Sequence, residues 1–147
     1  METPGKETNG MSLKIWTSFF GNYNITKDPR AVSIARWCPF KGVRRYDKFI
    51  PSKELLTFIK THYVPISDGP KLFRKHMLDK LDPLDVVRDL KRMSVNNEVI
   101  LLCWCHDRNA CHRKIVANWL KRAFKDDDVS LFEIKELPVH PKTKHRL

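Results

Sequence analysis

One continuous apolar run constrains the fold of this chain more than any other feature. Residues 99–103 read Val-Ile-Leu-Leu-Cys, which is typical of a strand that is covered on both faces of a parallel sheet. A short polar loop follows, and then a predicted helix over residues 110–124 with apolar side chains at helical spacing. Strand, loop and helix in this order predict an α/β fold, in which ligands bind at the carboxyl ends of the strands.

The rest of the chain alternates between predicted strands and helices. Runs rich in β-branched and aromatic residues predict strands over residues 13–20, 31–37 and 129–134, the first of them central. Helices are predicted over residues 53–63 and 71–81, with a third after Asp82, and Ser52 is predicted to cap the first. Residues 41–48 are predicted to be a basic loop. The fold class is therefore an α/β sandwich with a mostly parallel sheet and helices on both faces.

Length and composition predict one globular domain with short irregular ends. The chain has 147 residues, of which 41% are hydrophobic and 31% charged. Residues 1–11 are predicted to be a disordered segment, residues 12–137 the α/β domain, and residues 138–147 a flexible basic tail. No apolar run approaches the roughly 20 residues that span a bilayer. The first residues also lack the apolar core of a signal peptide, so we expect a cytoplasmic or other intracellular protein without a membrane partner.

The charge balance favours an anionic partner. Lys and Arg number 28 against 17 Asp and Glu, which gives a formal net charge of +11. Such an excess is typical of proteins that bind nucleic acid, nucleotide phosphates or an anionic surface, and it also occurs where it only promotes solubility and non-specific association. A nucleotide or nucleic acid is the expected partner, and the sequence does not predict an oligomeric state.

The loop after the apolar run concentrates reactive side chains. Cys111, His112 and Arg113 open the predicted helix, where unpaired N–H groups and the helix dipole favour a bound anion and a reactive thiol. We therefore predict a phosphate-bearing ligand here, with Cys111 and His112 as catalytic nucleophile or acid/base. The predicted phosphate-binding residues are Arg36, Lys41, Arg108 and Arg113, and the predicted base-stacking residues are Phe20, Tyr23 and Trp37.

Two other interpretations of the loop follow from its thiols. A phosphatase loop needs Cys, five residues and then Arg, but this spacing leads from Cys103 to Asn109 and from Cys105 to Cys111, which excludes it. A zinc site is the minority alternative, with Cys103, Cys105, His106 and Cys111 as ligands, although their spacing matches no standard finger. No cofactor is otherwise expected, and Cys103 alone is interpreted as a small buried apolar residue.

The motifs together resemble the uncharacterised family known as domain of unknown function 488. The matching motifs are Leu101-Leu102-Cys103, Cys111-His112-Arg113, and upstream Ile15 to Asn22, Ser33 to Arg36 and Phe49-Ile50-Pro51. The resemblance covers roughly residues 13–124 and implies a small Rossmann-like fold, with Arg36 in the pocket. It supplies no proven activity. Members commonly carry Glu two residues after the first Cys, where this chain has Cys105.

Two functional hypotheses remain open. The first is an enzyme of nucleotide or nucleic-acid metabolism that cleaves a glycosidic or phosphate-linked bond. The second is a non-catalytic protein that binds a nucleotide or nucleic acid in the same basic pocket, which Cys105 in place of Glu favours. The zinc-stabilised loop with a structural role is a third alternative.

Overall fold

A computed structural model describes residues 12–104, 112–125 and 131–143. Five strands lie within these residues: β1 (Lys14–Phe19), β2 (Ala31–Ser33), β3 (Arg44–Arg45), β4 (Glu98–Cys103) and β5 (Glu133–Glu136). Four α-helices accompany them: α1 (Lys53–Thr61), α2 (Gly69–His76), α3 (Pro83–Met93) and α4 (His112–Ala123). None of the helices in this described part is long and apolar enough to cross a membrane.

The strands form one sheet in the order β3-β2-β4-β1-β5, and every pair is parallel. This confirms the α/β class and the parallel sheet. The central strand is β4, whose residues Val99–Cys103 are each fully buried. β1 lies beside it, between β4 and β5, so its predicted central place is wrong. The apolar run identified the centre better than the aromatic run did, because only a central strand must be apolar on both faces.

Three strand boundaries differ from prediction. β2 ends at Ser33 instead of residue 37, because the Ser33 hydroxyl accepts a hydrogen bond from the Ala35 amide at 3.1 Å and the backbone bends. The predicted loop 41–48 contains β3, which pairs with Val32 and Ser33. β5 occupies Glu133–Glu136, because it is aligned by its pairing with Lys14–Thr17. The strand was predicted over residues 129–134, of which 129 and 130 lie outside the described residues.

The helix starts were predicted well and the helix ends less well. Ser52 accepts a hydrogen bond from the Leu55 amide at 3.0 Å, which confirms its predicted cap. Asp82 accepts from the Leu84 amide at 3.0 Å and caps the helix that was predicted to follow it. α1 ends two residues early, and Tyr63, the last residue of the predicted helix, has a positive φ of 52° and is 90% exposed. α2 ends at His76, and a 3-10 turn at Leu78–Lys80 completes the segment.

The two faces of the sheet are covered by different structures. The buried apolar side chains of all four described helices pack against one face, which carries Ile15, Leu101 and Ile134. The other face carries Ile100 and Leu102 and is covered by a cluster drawn from Phe20, Ile25, Ala31 and Ala35, with Trp16, Cys38, Phe40 and Leu137 beside it. Among the described residues, the helices expected on both faces are thus found on one. The crossover from β1 to β2 passes over β4 with only a short 3-10 turn, Ile25–Lys27.

Candidate functional site

Parallel pairing brings the carboxyl ends of the strands to one edge of the molecule. β1 ends at Phe19, β2 at Ser33, β4 at Cys103 and β5 at Glu136, and β1 is in register with Cys103 at its last residue. α4 begins at His112 near the same edge. This is the edge at which sheets of this type bind ligands.

Arg113 is the most unusual side chain at this edge, because it is charged and yet only 2% exposed. Its Nη2 and Nε donate to the two carboxylate oxygens of Glu136 at 2.8 and 3.2 Å. Its Nη1 donates to the Sγ of Cys103 at 3.3 Å. Burial on its own lowers the pKa of Arg113, but the hydrogen bonds to Glu136 and Cys103 outweigh it and hold that pKa above its ordinary value. The guanidinium is therefore charged at every physiological pH.

Two residues of β1 complete this group. The Thr17 hydroxyl donates to Oε1 of Glu136 at 2.6 Å, and the Arg113 guanidinium lies 5.8 Å from the centre of the Phe19 ring. We call Thr17, Cys103, Arg113 and Glu136 the Arg113 cluster. A thiol beside a cation is the arrangement found in nucleophilic cysteines, and a neighbouring carboxylate can accept or supply a proton. The cluster thus has the parts of a reactive centre.

His112 lies next to the cluster and has a defined tautomer. Its Nε2 is 2.5 Å from the carbonyl oxygen of Ile34, and its ring packs edge-on against Phe73. Burial lowers the pKa of His112 below its ordinary value, and the hydrogen bond to Ile34 opposes this only in part. The ring is therefore neutral at pH 7 with its proton on Nε2, which leaves Nδ1 as the nitrogen that can accept a proton.

Two exposed tryptophans stack on each other at the same edge, beyond β2 and β4. Trp37 is 65% exposed and Trp104 is 40% exposed, with ring centres 5.3 Å apart and planes at 20°. The indole N–H of Trp104 donates to the carbonyl oxygen of Trp37 at 2.7 Å, which fixes the pair. Phe20, predicted to stack on a base, is buried beneath Trp104 at a ring distance of 4.6 Å. We call Trp37 and Trp104 the tryptophan pair.

The other side chains that were predicted to contact the ligand lie in several parts of the molecule. Tyr23 lies with the tail, where its ring is 5.0 Å from that of His140 and its amide donates to the Thr143 hydroxyl. Arg36 and Lys41 are exposed on the segment between β2 and β3, and no described contact joins them to the Arg113 cluster. Cys105, His106, Arg108 and Cys111 lie outside the described residues. Phosphate binding by Arg36, Lys41, Arg108 and Arg113 stays a prediction.

Three residues of this edge escaped the sequence analysis. Glu136 was placed after the last strand, although it follows Ile134 at the spacing that puts both on the helix-covered face. A glutamate at an inward-facing position of a strand was the available signal. Thr17 gave a weaker signal, as a hydroxyl residue in an aromatic run. Trp104 was passed over although it directly follows the most buried strand.

A metal site finds no support among the residues described. No three His, Cys, Asp or Glu side chains of residues 12–104, 112–125 and 131–143 are grouped so that they could hold an ion. Cys103 contacts a guanidinium, whose positive charge opposes a cation at the same sulfur. The other zinc candidates, Cys105, His106 and Cys111, lie outside the described residues.

The fold and the cluster define a small parallel α/β protein with a cysteine–arginine centre at the carboxyl edge of its sheet. Residues 25–124, about two thirds of the chain, match a model of the DUF488 family, so the chain belongs to that family and the resemblance is confirmed. The model is that of DUF488-N3a, described as the active DUF488-N3 subclade. Comparison with curated proteins and comparison with solved structures each gave no match.

Proposed function

We propose that this chain is an enzyme that acts on a nucleotide or nucleic acid, with its reaction at the Arg113 cluster. The observation that carries the proposal is a guanidinium held inside the protein between a thiol and a carboxylate, at 3.3 and 2.8 Å. Burying such a pair is often no more stabilising than apolar packing, so stability alone gives little reason to keep it. Buried ionisable groups that cluster at the ligand-binding edge of a sheet favour a catalytic role.

The chemistry that suits the cluster is cleavage of a glycosidic or phosphate-linked bond. In the proposed reaction the sulfur of Cys103 bonds to the substrate as the bond to the leaving group breaks, and the thiol proton goes to the leaving group. Water then hydrolyses the covalent intermediate: its oxygen bonds to the substrate, the bond to sulfur breaks, and one proton of the water passes through Glu136 to the sulfur. Arg113 stabilises the negative charge that develops on the sulfur during attack and release. The description of the matching subclade as active supports catalysis in preference to binding alone.

The substrate class follows from the tryptophan pair and the charge of the chain. Exposed, mutually stacked indoles leave a large apolar surface in water, which is unfavourable unless a ligand covers it. An aromatic plane can stack on any nucleobase, and the net charge of +11 attracts phosphate. A nucleotide or nucleic acid supplies both a base and phosphates.

The test is a panel of nucleotides and oligonucleotides incubated with the protein, with products followed by mass spectrometry and binding by thermal shift. Cys103→Ser is expected to abolish product formation while the variant still binds substrate. Cys38→Ser, a change of the same kind at a partly buried cysteine outside the cluster, should retain full activity. Cys111→Ser is a third variant in the same assay, and loss of product in that variant alone would identify Cys111 as the nucleophile.

A non-catalytic binding protein is the second candidate, and one observation favours it. Arg113 is 2% exposed and bonded on three nitrogens, as expected of an ion pair that only stabilises the carboxyl edge. In that case the tryptophan pair would bind the ligand and nothing would be transformed. A ligand that raises the melting temperature of the wild-type protein but is recovered unchanged, with Trp104→Ala abolishing the shift, would decide for binding.

A further inference from the structure

We propose that the cleft between α4 and β5 binds the phosphates of a single-stranded nucleic acid and leads that strand into the Arg113 cluster. This inference rests on the proposed function and names its substrate. The cleft has a volume of about 410 Å³. It is lined by two residues of the Arg113 cluster, Thr17 and Glu136, and by polar and basic side chains of α4 and β5, namely Lys114, Asn118, Lys121 and Lys135.

The helix that forms one wall of the cleft carries only basic charge. α4 contains no acidic residue, and its side chains Lys114, Asn118 and Lys121 are exposed. Their spacing of four and three residues puts them on one face of the helix, and Lys114 and Lys121 are about 10 Å apart along its axis. Because a stacked strand advances about 3.4 Å per nucleotide, this row of side chains matches about three phosphates.

Among the described residues, the carboxylates beside the cleft are already paired within the protein. Glu136 binds Arg113 and Thr17, and Glu133 binds Lys135 at 3.0 Å. Of the described lining residues, Lys114 and Lys121 therefore set the charge of the cleft, and an entering phosphate meets their ammonium groups. This arrangement favours an anionic ligand with regularly spaced phosphates over a neutral ligand.

The distance between the cleft and the tryptophan pair distinguishes a strand from a single nucleotide. The cleft adjoins β5, whereas Trp104 and Trp37 follow β4 and β2, which are two and three strands away in the sheet. At about 4.8 Å per strand the two surfaces are about 10 to 14 Å apart along the sheet. They also lie on opposite faces, because the cleft is on the helix-covered face and Trp104 packs against Phe20 of the other face. A ligand that reaches both must extend over several nucleotides, and stacking on indole requires unpaired bases, which a duplex does not offer.

The experiment measures binding of fluorescein-labelled single strands of about 12 nucleotides, one of deoxythymidine and one of uridine, between about 0.05 and 0.2 M salt. The test variant is the triple change Lys114→Gln, Lys121→Gln and Lys135→Gln. The control variant, Lys60→Gln, Lys71→Gln and Lys75→Gln, alters three exposed lysines of α1 and α2 and removes the same charge. Unfolding curves establish that both variants fold.

We expect the test variant to reduce the slope of log affinity against log salt by about 1.4, because the phosphate contacts of Lys114 and Lys121 on a single strand contribute about 0.7 each, whereas Lys135 is already paired with Glu133. The corresponding loss of affinity at 0.15 M salt is about 14-fold. The control variant should keep the wild-type slope. A stronger effect on the uridine strand or on the deoxythymidine strand would show which nucleic acid the cleft favours.

Three outcomes would contradict the proposal that the cleft binds a single strand. Equal losses in the test and control variants would show that only the overall charge matters, and equally tight binding of a duplex would remove the single-strand assignment. Turnover of a mononucleotide without any binding of single strands would refute strand binding in the cleft and leave the proposed enzymatic function intact. Conversely, strand binding that depends on the three cleft lysines, without any product, would support the cleft and refute the enzyme.

Discussion

At the scale of single residues, the ion pair between Arg113 and Glu136 contributes to the stability of the protein. Arg113→Met leaves the Glu136 carboxylate without its guanidinium, and removal of one partner from a buried pair costs about 3–5 kcal/mol. Glu136 is 38% exposed, so water solvates part of the carboxylate and reduces this cost. We therefore expect a loss of about 2 kcal/mol in the free energy of unfolding, measured by urea denaturation.

Two further variants separate the ion pair from packing. The double change Arg113→Met and Glu136→Met removes both charges together and should recover part of the lost stability. Arg122→Met, on an exposed position of the same helix, should change the free energy of unfolding by less than about 0.5 kcal/mol. An Arg113→Met loss no larger than that of Arg122→Met would show that the pair contributes nothing.

His112 gives the protein a stability that depends on pH. Burial holds the pKa of His112 below its ordinary value of 6.5, so the unfolded chain takes up a proton more readily than the folded chain. The contribution is fully present above about pH 6.5 and is lost as the pH falls towards the lowered pKa. The carboxyl groups with lowered pKa, among them Asp28, Asp89 and Glu98, change stability only at more acidic pH, below about 5.

The variant that tests this is His112→Gln, whose amide can still donate to the Ile34 carbonyl but does not titrate. When the pH is lowered from about 7.5 to about 5.5, the urea midpoint of the wild-type protein should fall, and that of His112→Gln should change much less. His62→Gln, at an exposed position of the turn after α1, is the control and should fall with the wild type. Parallel falls in all three proteins would mean that another group carries the effect.

At the scale of elements, one buried side chain joins the turn after β1 to the segment after β5. The amide of Asn22 donates to the Ser18 hydroxyl at 3.0 Å and to the Pro138 carbonyl at 3.1 Å. Its oxygen accepts from the His140 amide at 2.8 Å and from the Thr143 hydroxyl at 3.0 Å. Asn22 thus uses two donors and two acceptors, its full capacity. Residues 138–143, predicted to be a free arm, are held against the domain by these contacts.

Asn22→Ala is expected to release this segment. Trypsin should then cleave after Lys142 faster than in the wild-type protein, because the His140 amide and the Thr143 hydroxyl, on either side of that residue, lose their hydrogen bonds to Asn22. The free energy of unfolding should fall by about 1–3 kcal/mol, the cost of buried groups left unsatisfied. Thr143→Ala, which removes one of the four bonds, should show a smaller change in both measurements. Unchanged cleavage in Asn22→Ala would show that other contacts hold the segment.

The same elements show how far local sequence rules reach. Ser52 and Asp82 identified two helix starts, and the run ending at Cys103 identified the central strand, because caps and burial act over a few residues. Glu136 meets Thr17 across 119 positions of sequence, and that contact exists only because β5 pairs with β1. No local pattern contains strand order. For the same reason the sequence predicted Arg113 as a site residue but did not predict its partners Thr17 and Glu136.

At the scale of the whole molecule, the sheet depends on strands from both ends of the chain. β1 pairs with β4 over six positions and with β5 over four. Both β1 and β5 lie outside residues 25–124, the segment that matches the family model. Thr17 and Glu136 of the Arg113 cluster lie outside it as well. The matching segment therefore lacks a neighbour for β4 and half of the candidate centre.

We accordingly expect residues 25–124 expressed alone to lack a cooperative unfolding transition. Without β1, one side of β4 would expose backbone groups and apolar side chains that are fully buried in the complete sheet. A fragment of residues 12–143, which keeps all five strands, should unfold cooperatively with a midpoint close to that of the full chain. Circular dichroism during urea titration would measure both. A cooperative transition of the shorter fragment would show that β2, β3 and β4 with their helices suffice, and that β1 and β5 serve to bring Thr17 and Glu136 to Arg113.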